Sequence, residues 1–379
     1  MDILNKCIVI GYEHHNSLGQ VRSLGEYGIK PIVIMINSKV RITSASKYVS
    51  EKYYVDNLNE AYDLLIKKWG NEKLKPFIFT SDDIATSYFD KKYDDIKDLF
   101  YFNNCGKQGA ITSFMDKIQM YQIAESVGFL VPKAFSLNDV DFKKLNYPVI
   151  TKTETSLHDN WKDNSFVCHN EEELLKALNK ISTNNEHIVI QKYIDKENEI
   201  CLEGYAYNDG KNVVIPVSLS MKYLIEGAYG HYLSAVNFND SDLFNKTSKL
   251  ISIFKYNGVF EIEFLQDKSE ELYFLEINFR NSAWGYVTTK VGMSTAVGWI
   301  KSQLEGNNHK PIVLPIKKDF TAMSEFSDFK VRVMHKKIKF NEWKKQFKTC
   351  DCTFYYDKKD KKPFRHALIN KFFKTILNK

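Results

Sequence analysis

The chain is expected to be mixed α/β and α+β, with two or three domains, and three observations carry that expectation. Short apolar runs alternate with helix-like stretches through the first third. From Tyr147 onward longer strand-like runs dominate, broken by only two helical stretches. At 379 residues, 44% hydrophobic and 26% charged, the chain is long and apolar enough for a real core, so neither disorder nor a fibrous repeat fits.

Taken in order, Lys6 to Gly11 is an apolar run, Ser17 to Tyr27 reads as a helix closed by Gly28, and Pro31 to Ile36 is a second run. The unit repeats with Tyr53 to Val55, Leu58 to Trp69 and Phe77 to Thr80, which implies a parallel, Rossmann-like sheet. The next helix is expected to open at Ser113 with the capping-box pattern S-F-M-D and to stop at Gly128 before Pro132. Strands follow at Tyr147 to Thr153, Ser165 to Cys168, Ile188 to Tyr193, Ile200 to Tyr207 and Val213 to Leu219. The two helices among them start at the Asn170 cap, with Glu173 three residues on, and at about Ser241.

Charge is divided unevenly. From Lys310 to Lys379 there are 19 Lys and Arg against 7 Asp and Glu, net +12, while residues 1 to 309 are net −6. An acidic body with a basic, aromatic tail suggests an anionic partner: a membrane surface, a nucleotide-linked substrate or nucleic acid. Nucleic acid ranks last, because no recognisable reading module is present. Asn370 to Leu377 suits a short amphipathic helix, for the membrane or for packing on the body. Six Cys in a chain this long form no disulfide framework, and free thiols are expected. No run approaches the ~18 apolar residues of a membrane span, and the start lacks a signal-peptide pattern, so a cytoplasmic location is expected.

The common phosphate-loop, dinucleotide, serine-hydrolase and zinc-protease motifs are missing. The informative segment is Gly258 to Arg280, two alternating runs around the polar turn D-K-S-E-E. A turn centred between Ser269 and Glu270 sets Glu263 opposite Glu276 and Glu261 opposite Asn278. Val259, Ile262, Phe264, Ile277 and Phe279 are read as the buried side, which makes the acidic row a patterned second face. A solvated outer face would also tolerate acids, but two carboxylates and an amide oxygen close together call for a cation. Oxygen donors without Cys or His suit Mg²⁺. Arg280, on the same face as Asn278, would offer a fork for phosphate oxygens.

E-I-N-F-R at Glu276 to Arg280, with Glu263 thirteen residues earlier, resembles the metal-binding signature of the ATP-grasp superfamily. Other landmarks of that family follow in order: Lys117 and Lys152 resemble its two nucleotide lysines, Gln191, Lys192, Tyr193 and Ile194 its adenine-contacting hinge, and Glu199 its ribose-binding acid. Taken singly, each is also an ordinary helix or strand residue. The resemblance spans about Gly11 to Gly306 and implies an ATP-grasp fold with an N-terminal Rossmann-like pre-ATP-grasp domain and a basic C-terminal extension. The corresponding divisions are 1–112, a small lid subdomain at 113–195, a metal and catalytic subdomain at 196–309, and the basic segment 310–379.

The resemblance further implies ATP with Mg²⁺, or Mn²⁺ in its place, bound through Glu263, Glu276 and Asn278, with Lys152 and Arg280 acting on the transferring phosphoryl group. The loop after Lys152 departs from the family's Gly-rich pattern, which leaves His158, Trp161 and Lys162 as candidates to close the site, with His158 a remote candidate for a base. On the substrate side, Asn16, Ser17 and Gly19 at a helix start and T-S-D-D at Thr80 to Asp83 are candidates, although both also read as helix caps. Lys222, Tyr223 and the glycines of Glu226 to His231 are candidates to reach an acyl phosphate.

N-S-L-G-Q-V-R-S-L-G, T-S-D-D and N-N-C-G-K-Q-G at Asn103 to Gly109 are similar to the carboxylate-amine ligase branch, which includes D-aspartate ligases and proteins of surface-polysaccharide clusters. The expected reaction joins a carboxylate to an amine, with a nucleotide- or lipid-linked sugar precursor among the candidate substrates and peripheral membrane contact through the tail. The alternative is a regulatory or scaffolding protein that binds nucleotide without turnover.

Overall fold

A computed structural model describes residues 2–157, 165–181, 187–225 and 228–377, with side chains described as far as 371. His158, Trp161, Lys162, Glu226 and Gly227 lie outside the described residues.

The first unit comprises β1 (Cys7–Gly11), α1 (His15–Gly25), β2 (Ile32–Ile36), β3 (Glu51–Val55), α2 (Leu58–Trp69), β4 (Phe77–Thr80), α3 (Asp83–Asp90) and the short α4 (Tyr93–Ile96). Its four strands are parallel in the order β3-β2-β1-β4. Strands β1, β2 and β4 are wholly buried, as continuous apolar runs covered on both faces should be.

Next come α5 (Ala110–Phe114), α6 (Lys117–Ser126), β5 (Ala134–Ser136), β6 (Val149–Thr153), β7 (Val167–Cys168), α7 (Glu171–Lys180) and β8 (Ile188–Lys192). The strands make a separate sheet, β5-β8-β6-β7. α7 begins as expected: Asn170 Oδ1 accepts from Glu173 N–H at 2.9 Å, and Glu173 accepts in return from His169 N–H. The Ser113 start is corrected. Ser113 lies within α5, and Asp116 caps α6, accepting from Gln119 N–H at 2.7 Å.

The third stretch comprises β9 (Lys196–Tyr207), β10 (Asn212–Met221), β11 (Tyr232–Asn237), α8 (Ser241–Phe254), β12 (Gly258–Asp267), β13 (Leu272–Asn278), α9 (Gly285–Lys290) and α10 (Thr295–Glu305). After them come β14 (Thr321–Met323), α11 (Glu325–Asp328), α12 (Phe340–Thr349), β15 (Cys352–Thr353) and α13 (Lys362–Leu377). These strands form one sheet in the order β13-β12-β9-β10-β11-β14-β15.

Hairpin β12–β13 has the expected register where it matters, pairing Glu261 with Asn278 and Glu263 with Glu276. Beyond Glu263 a bulge shifts the pairing to Phe264 with Phe274. Phe260, Ile262, Phe264, Ile277 and Phe279 bury against Met120 and Tyr121 of α6 and Phe254 of α8. The assignment of Val259 to that side is corrected. By strand parity it shares a face with Glu261 and Glu263, and it packs with Val9, Tyr205 and Trp299.

The C-terminal segment is built into the body through strand pairing. β14 pairs antiparallel with β11, and β15 runs parallel to β14. Arg22 of α1, fully buried, donates from Nε to Asp360 Oδ2 at 3.0 Å and from its Nη atoms to the carbonyls of Phe354, Tyr355 and Asp360 at 2.9 Å. The buried Glu325 carboxylate, pushed up to about 7 by burial, accepts from the backbone N–H groups of Phe354, Tyr355 and Tyr356. All six cysteines are free thiols. Among the described residues no helix is long and apolar enough to cross a membrane.

Candidate active site

A cavity of about 320 Å³ lies between the small sheet and hairpin β12–β13. Ile150, Ile194, Leu265 and Leu275 give it apolar walls, while Lys117, Lys152, Lys196 and Glu276 give it a charged end. That volume and mixture suit a planar heterocycle carrying an anionic group. The bulge contributes directly: the extra residue on β13 is Leu275, and both Leu275 and Glu276 line the cavity.

Of the residues expected at a nucleotide, Lys117, Lys152, Gln191, Lys192, Tyr193 and Ile194 all line this cavity. Lys117 opens α6, and its backbone N–H is bound to Glu154 O, which ties that helix to the end of β6. Lys152 extends from β6 beside β8. Burial, and after it the neighbouring Lys117 ammonium, brings Lys152 down to about 8, against the opposing pull of Glu276 and Glu263. Lys192 Nζ is tethered to the carbonyls of Asn146 and Tyr147 at 3.2 and 3.4 Å.

Glu199 is placed differently. It is buried and absent from the cavity lining, with one oxygen on Lys196 Nζ at 2.5 Å and the other accepting from Gly230 N–H at 2.9 Å. Lys196 also donates to Ala228 O, so this pair fastens the β10–β11 loop, whose Tyr229 and His231 line the cavity. Lys196 was missed by the sequence reading. Its only signal was its place three residues before Glu199 in K-E-N-E.

The acidic row is closely packed. Asn278 Nδ2 donates to Glu261 Oε2 at 3.0 Å and to Glu263 Oε1 at 2.9 Å. Among the described residues Glu263 Oε2 is buried without a hydrogen bond of normal geometry, and the Tyr229 hydroxyl is the donor beside this carboxyl. Burial, then repulsion from Glu276 and Glu261, pushes the Glu263 carboxyl well up. Glu203, the β9 neighbour of Glu261, is raised by burial to about 7 and accepts from Ser282 Oγ. It too was missed, because only the assembled sheet sets β9 beside the hairpin. Among the described residues no cluster of three or more His, Cys, Asp or Glu is arranged as a metal centre; the expected donor set is two carboxylates and an amide. The buried Glu263 oxygen and the mutual repulsion of the acids fit a divalent cation, for which Asn278 would turn its amide oxygen inward.

Asn278 Oδ1 accepts from Arg280 Nη2 at 3.0 Å, while Arg280 Nε donates to Asp83 at 2.6 Å and Nη1 to Asn281 O at 3.4 Å. Arg280 therefore joins the acidic row to the first unit and keeps two of its five N–H groups available. Asp83 also accepts from Ser156 Oγ at 2.6 Å. Asp82 caps α3 through Oδ1, its Oδ2 is buried and has no partner among the described residues, and burial raises the group to about 6. At the start of α1, His14 rather than Asn16 or Ser17 is the cap. Ser17 Oγ donates to Tyr12 O at 2.7 Å and lies 2.7 Å from Ser81 Oγ, whose hydroxyl is left to donate, and Gly19 packs against Tyr286. Tyr223 is turned away from the cavity, donating to Asp328 Oδ1 at 2.7 Å. Lys222 is exposed.

Two lysines facing Glu276 across a cavity between two sheets, with Glu263 and Asn278 of the acidic row beside Glu276 but outside the lining, suit a nucleotide-binding class of protein. Residues 110–302, half of the chain, match the family described as carbamoyl-phosphate synthase L chain, ATP binding domain, and the chain belongs to that family and so to the ATP-grasp superfamily. It is 24% identical over 196 residues to D-alanine–D-alanine ligase B of Clostridium tetani (strain Massachusetts / E88), an alignment covering 46% of this chain and 54% of the relative. The chain thus spans about half the length of that curated relative. Its fold is similar to that of an N5-carboxyaminoimidazole synthetase from Staphylococcus aureus complexed with ADP, with a TM-score of 0.66 at 16% identity over 91% of this chain and 88% of the other. It is also similar to that of an L-amino acid ligase from Bacillus licheniformis, with a TM-score of 0.61 at 15% identity over 82% and 76%.

Lys152 gives the cavity a pH signature. Nucleotide phosphates raise the affinity of a nearby ammonium for its proton, so the bound state holds more protons than the free state above pH of about 8. ATP affinity should accordingly fall as pH rises from about 7 to 9.5, with net proton uptake on binding. Calorimetry in buffers of different ionisation enthalpy should show both effects in the wild type, and Lys152→Arg should flatten the pH dependence.

Proposed function

We propose that the protein is an ATP-dependent carboxylate-amine ligase that works through an acyl phosphate. The observation that carries this reading is the charged end of the cavity, where Lys117 and Lys152 face Glu276 while the apolar walls leave room for a base. In the reaction a carboxylate oxygen takes the γ-phosphoryl group and ADP leaves; an amine nitrogen then attacks the acyl carbon, phosphate leaves and the nitrogen loses a proton. Bound Mg²⁺, or Mn²⁺, would neutralise phosphate charge and polarise the transferring group.

The chain's own residues divide the remaining work. Lys117 and Lys152 hold the phosphates, and the backbone of Gln191 to Ile194 presents a hydrogen-bonding edge to adenine. Glu263, Glu276 and Asn278 hold the metal, and the free N–H groups of Arg280 steady the phosphoryl oxygens. For Glu199 to accept ribose hydroxyls it must release Gly230 or Lys196, which couples nucleotide binding to the β10–β11 loop. No protein nucleophile is required.

The substrates we propose are an amino acid or amine and a carboxylate of a cell-envelope or surface-polysaccharide precursor, met at the inner face of a membrane. The names of the amino acid ligases to which the chain is similar support the first part. The resemblance of N-S-L-G and T-S-D-D to polysaccharide-cluster ligases supports the second. The test is ADP release from ATP and Mg²⁺ with a library of amino acids and nucleotide-linked uronates, read with product mass. Release that requires two added substrates, with a product lighter than their sum by one water, supports the ligase. Nucleotide binding without turnover across the library favours the regulatory alternative.

A further inference from the structure

The C-terminal aromatics that the sequence interleaves with lysines are mostly spent on packing. Trp343 stacks on Phe347, Phe347 meets Tyr356, Tyr356 meets Phe364, and Phe364 stacks on Phe326, with ring centroids 5.2 to 5.8 Å apart. Phe340 is the open end of this ladder, 51% exposed, and Met334 on the preceding turn is 64% exposed. α12 has no buried residue. Between Met334 and Thr349 stand six exposed lysines, Lys336, Lys337, Lys339, Lys344, Lys345 and Lys348, with Glu342 the single acid. Lys344 Nζ lies 6.0 Å from the Phe340 ring, so charge and apolar surface share one face.

Among the described residues Glu342 pairs with none of these lysines, and four other acids of the C-terminal segment are committed elsewhere. Asp328 pairs with Arg332, Asp351 with Lys317, Asp357 with Lys290 and Asp360 with Arg22. Among the described residues none of the six lysines has an acidic partner. We infer that the face formed by residues 334–348 is a docking surface for an anionic lipid membrane. Lysines attract phosphate headgroups without fixed geometry, and Met334 and Phe340 supply what a polyanion alone does not need: apolar groups for the acyl boundary. The surface deepens the proposed placement of the substrate at a membrane and rests on that reading only for its purpose. Because lipid binding is measured without turnover, failure of one is distinguishable from failure of the other.

The test uses the full chain and vesicles of phosphatidylcholine with and without about 30% phosphatidylglycerol. Binding should require the anionic lipid and be lost at 0.5 M salt, with each neutralised lysine weakening it by about fivefold. The triple variant Lys336→Glu, Lys339→Glu, Lys344→Glu should not bind, yet should keep the wild-type thermal midpoint and ATP affinity. Phe340→Ala, with charge unchanged, should bind several-fold more weakly. Absence of binding to anionic vesicles at low salt overturns the inference. So does a single-stranded oligonucleotide that binds more tightly than the vesicles and is indifferent to Phe340→Ala, which would mark the face as a nucleic-acid site.

Discussion

Glu276→Gln is expected to lower ATP turnover by about a hundredfold or more while leaving the binding of a non-transferable ATP analogue without metal within a few-fold of wild type. Glu276 faces Glu263 across the hairpin and lines the charged end of the cavity, so the isosteric amide removes a carboxylate charge that would face the metal, without changing shape. Loss of groups that merely orient metal ligands costs 10–100-fold, and a direct ligand should cost at least as much. Steady-state ADP release and calorimetry read the two halves separately. Glu263→Gln adds a second signature. A buried acid held well above its ordinary value destabilises the fold as pH rises through that raised value, since the native state binds more protons than the unfolded chain in that window. Glu263→Gln should therefore lose activity yet raise the metal-free thermal midpoint at neutral pH. A variant that loses both would mark Glu263 as structural.

The largest effect on stability is expected at Arg22. Arg22 and Asp360 are essentially inaccessible to water, and the guanidinium satisfies three backbone carbonyls besides the carboxylate. Asp360 also accepts from Ser46 Oγ and Lys47 N–H, so removing the arginine leaves a buried charge between two segments. Arg22→Ala should cost about 3–5 kcal/mol, seen as a lower midpoint in urea. A loss under about 1 kcal/mol would mean that the C-terminal segment is held by its apolar contacts alone. For the same reason deletion from Lys330 onward should unfold the body, and membrane binding is better tested by surface substitution than by truncation.

The contrast between these two regions shows what sequence can carry. Hairpin β12–β13 was legible because strand parity and one turn fix which side chains face each other, and Glu261, Glu263, Glu276 and Asn278 meet as pairing requires. Register failed only beyond the bulge at Glu263, which has no composition signal, and Val259 was misassigned by ignoring that same parity. Lys117, Lys152 and Gln191 were reached through order along the chain, since they sit on three elements and meet only when the small sheet folds over the hairpin. What stayed hidden depends on long-range assembly: the hold of Lys196 and Glu199 on Ala228 and Gly230, the Arg280 bond to Asp83, and the burial of Arg22 by residues more than 330 positions away. A net charge of +12 describes the C-terminal segment's composition, but not which lysines face water and which aromatics are already packed.

If this cavity drives phosphoryl transfer to a carboxylate, an oxygen of that carboxylate must end on phosphorus. Once a carboxylate and amine pair supports ADP release, the carboxylate is supplied with both oxygens as ¹⁸O and the released phosphate is weighed. An acyl phosphate leaves one carboxylate oxygen on phosphorus, so one ¹⁸O is expected in each phosphate and one in the amide. Unlabelled phosphate, with ADP formed at the same rate, would contradict the acyl-phosphate route.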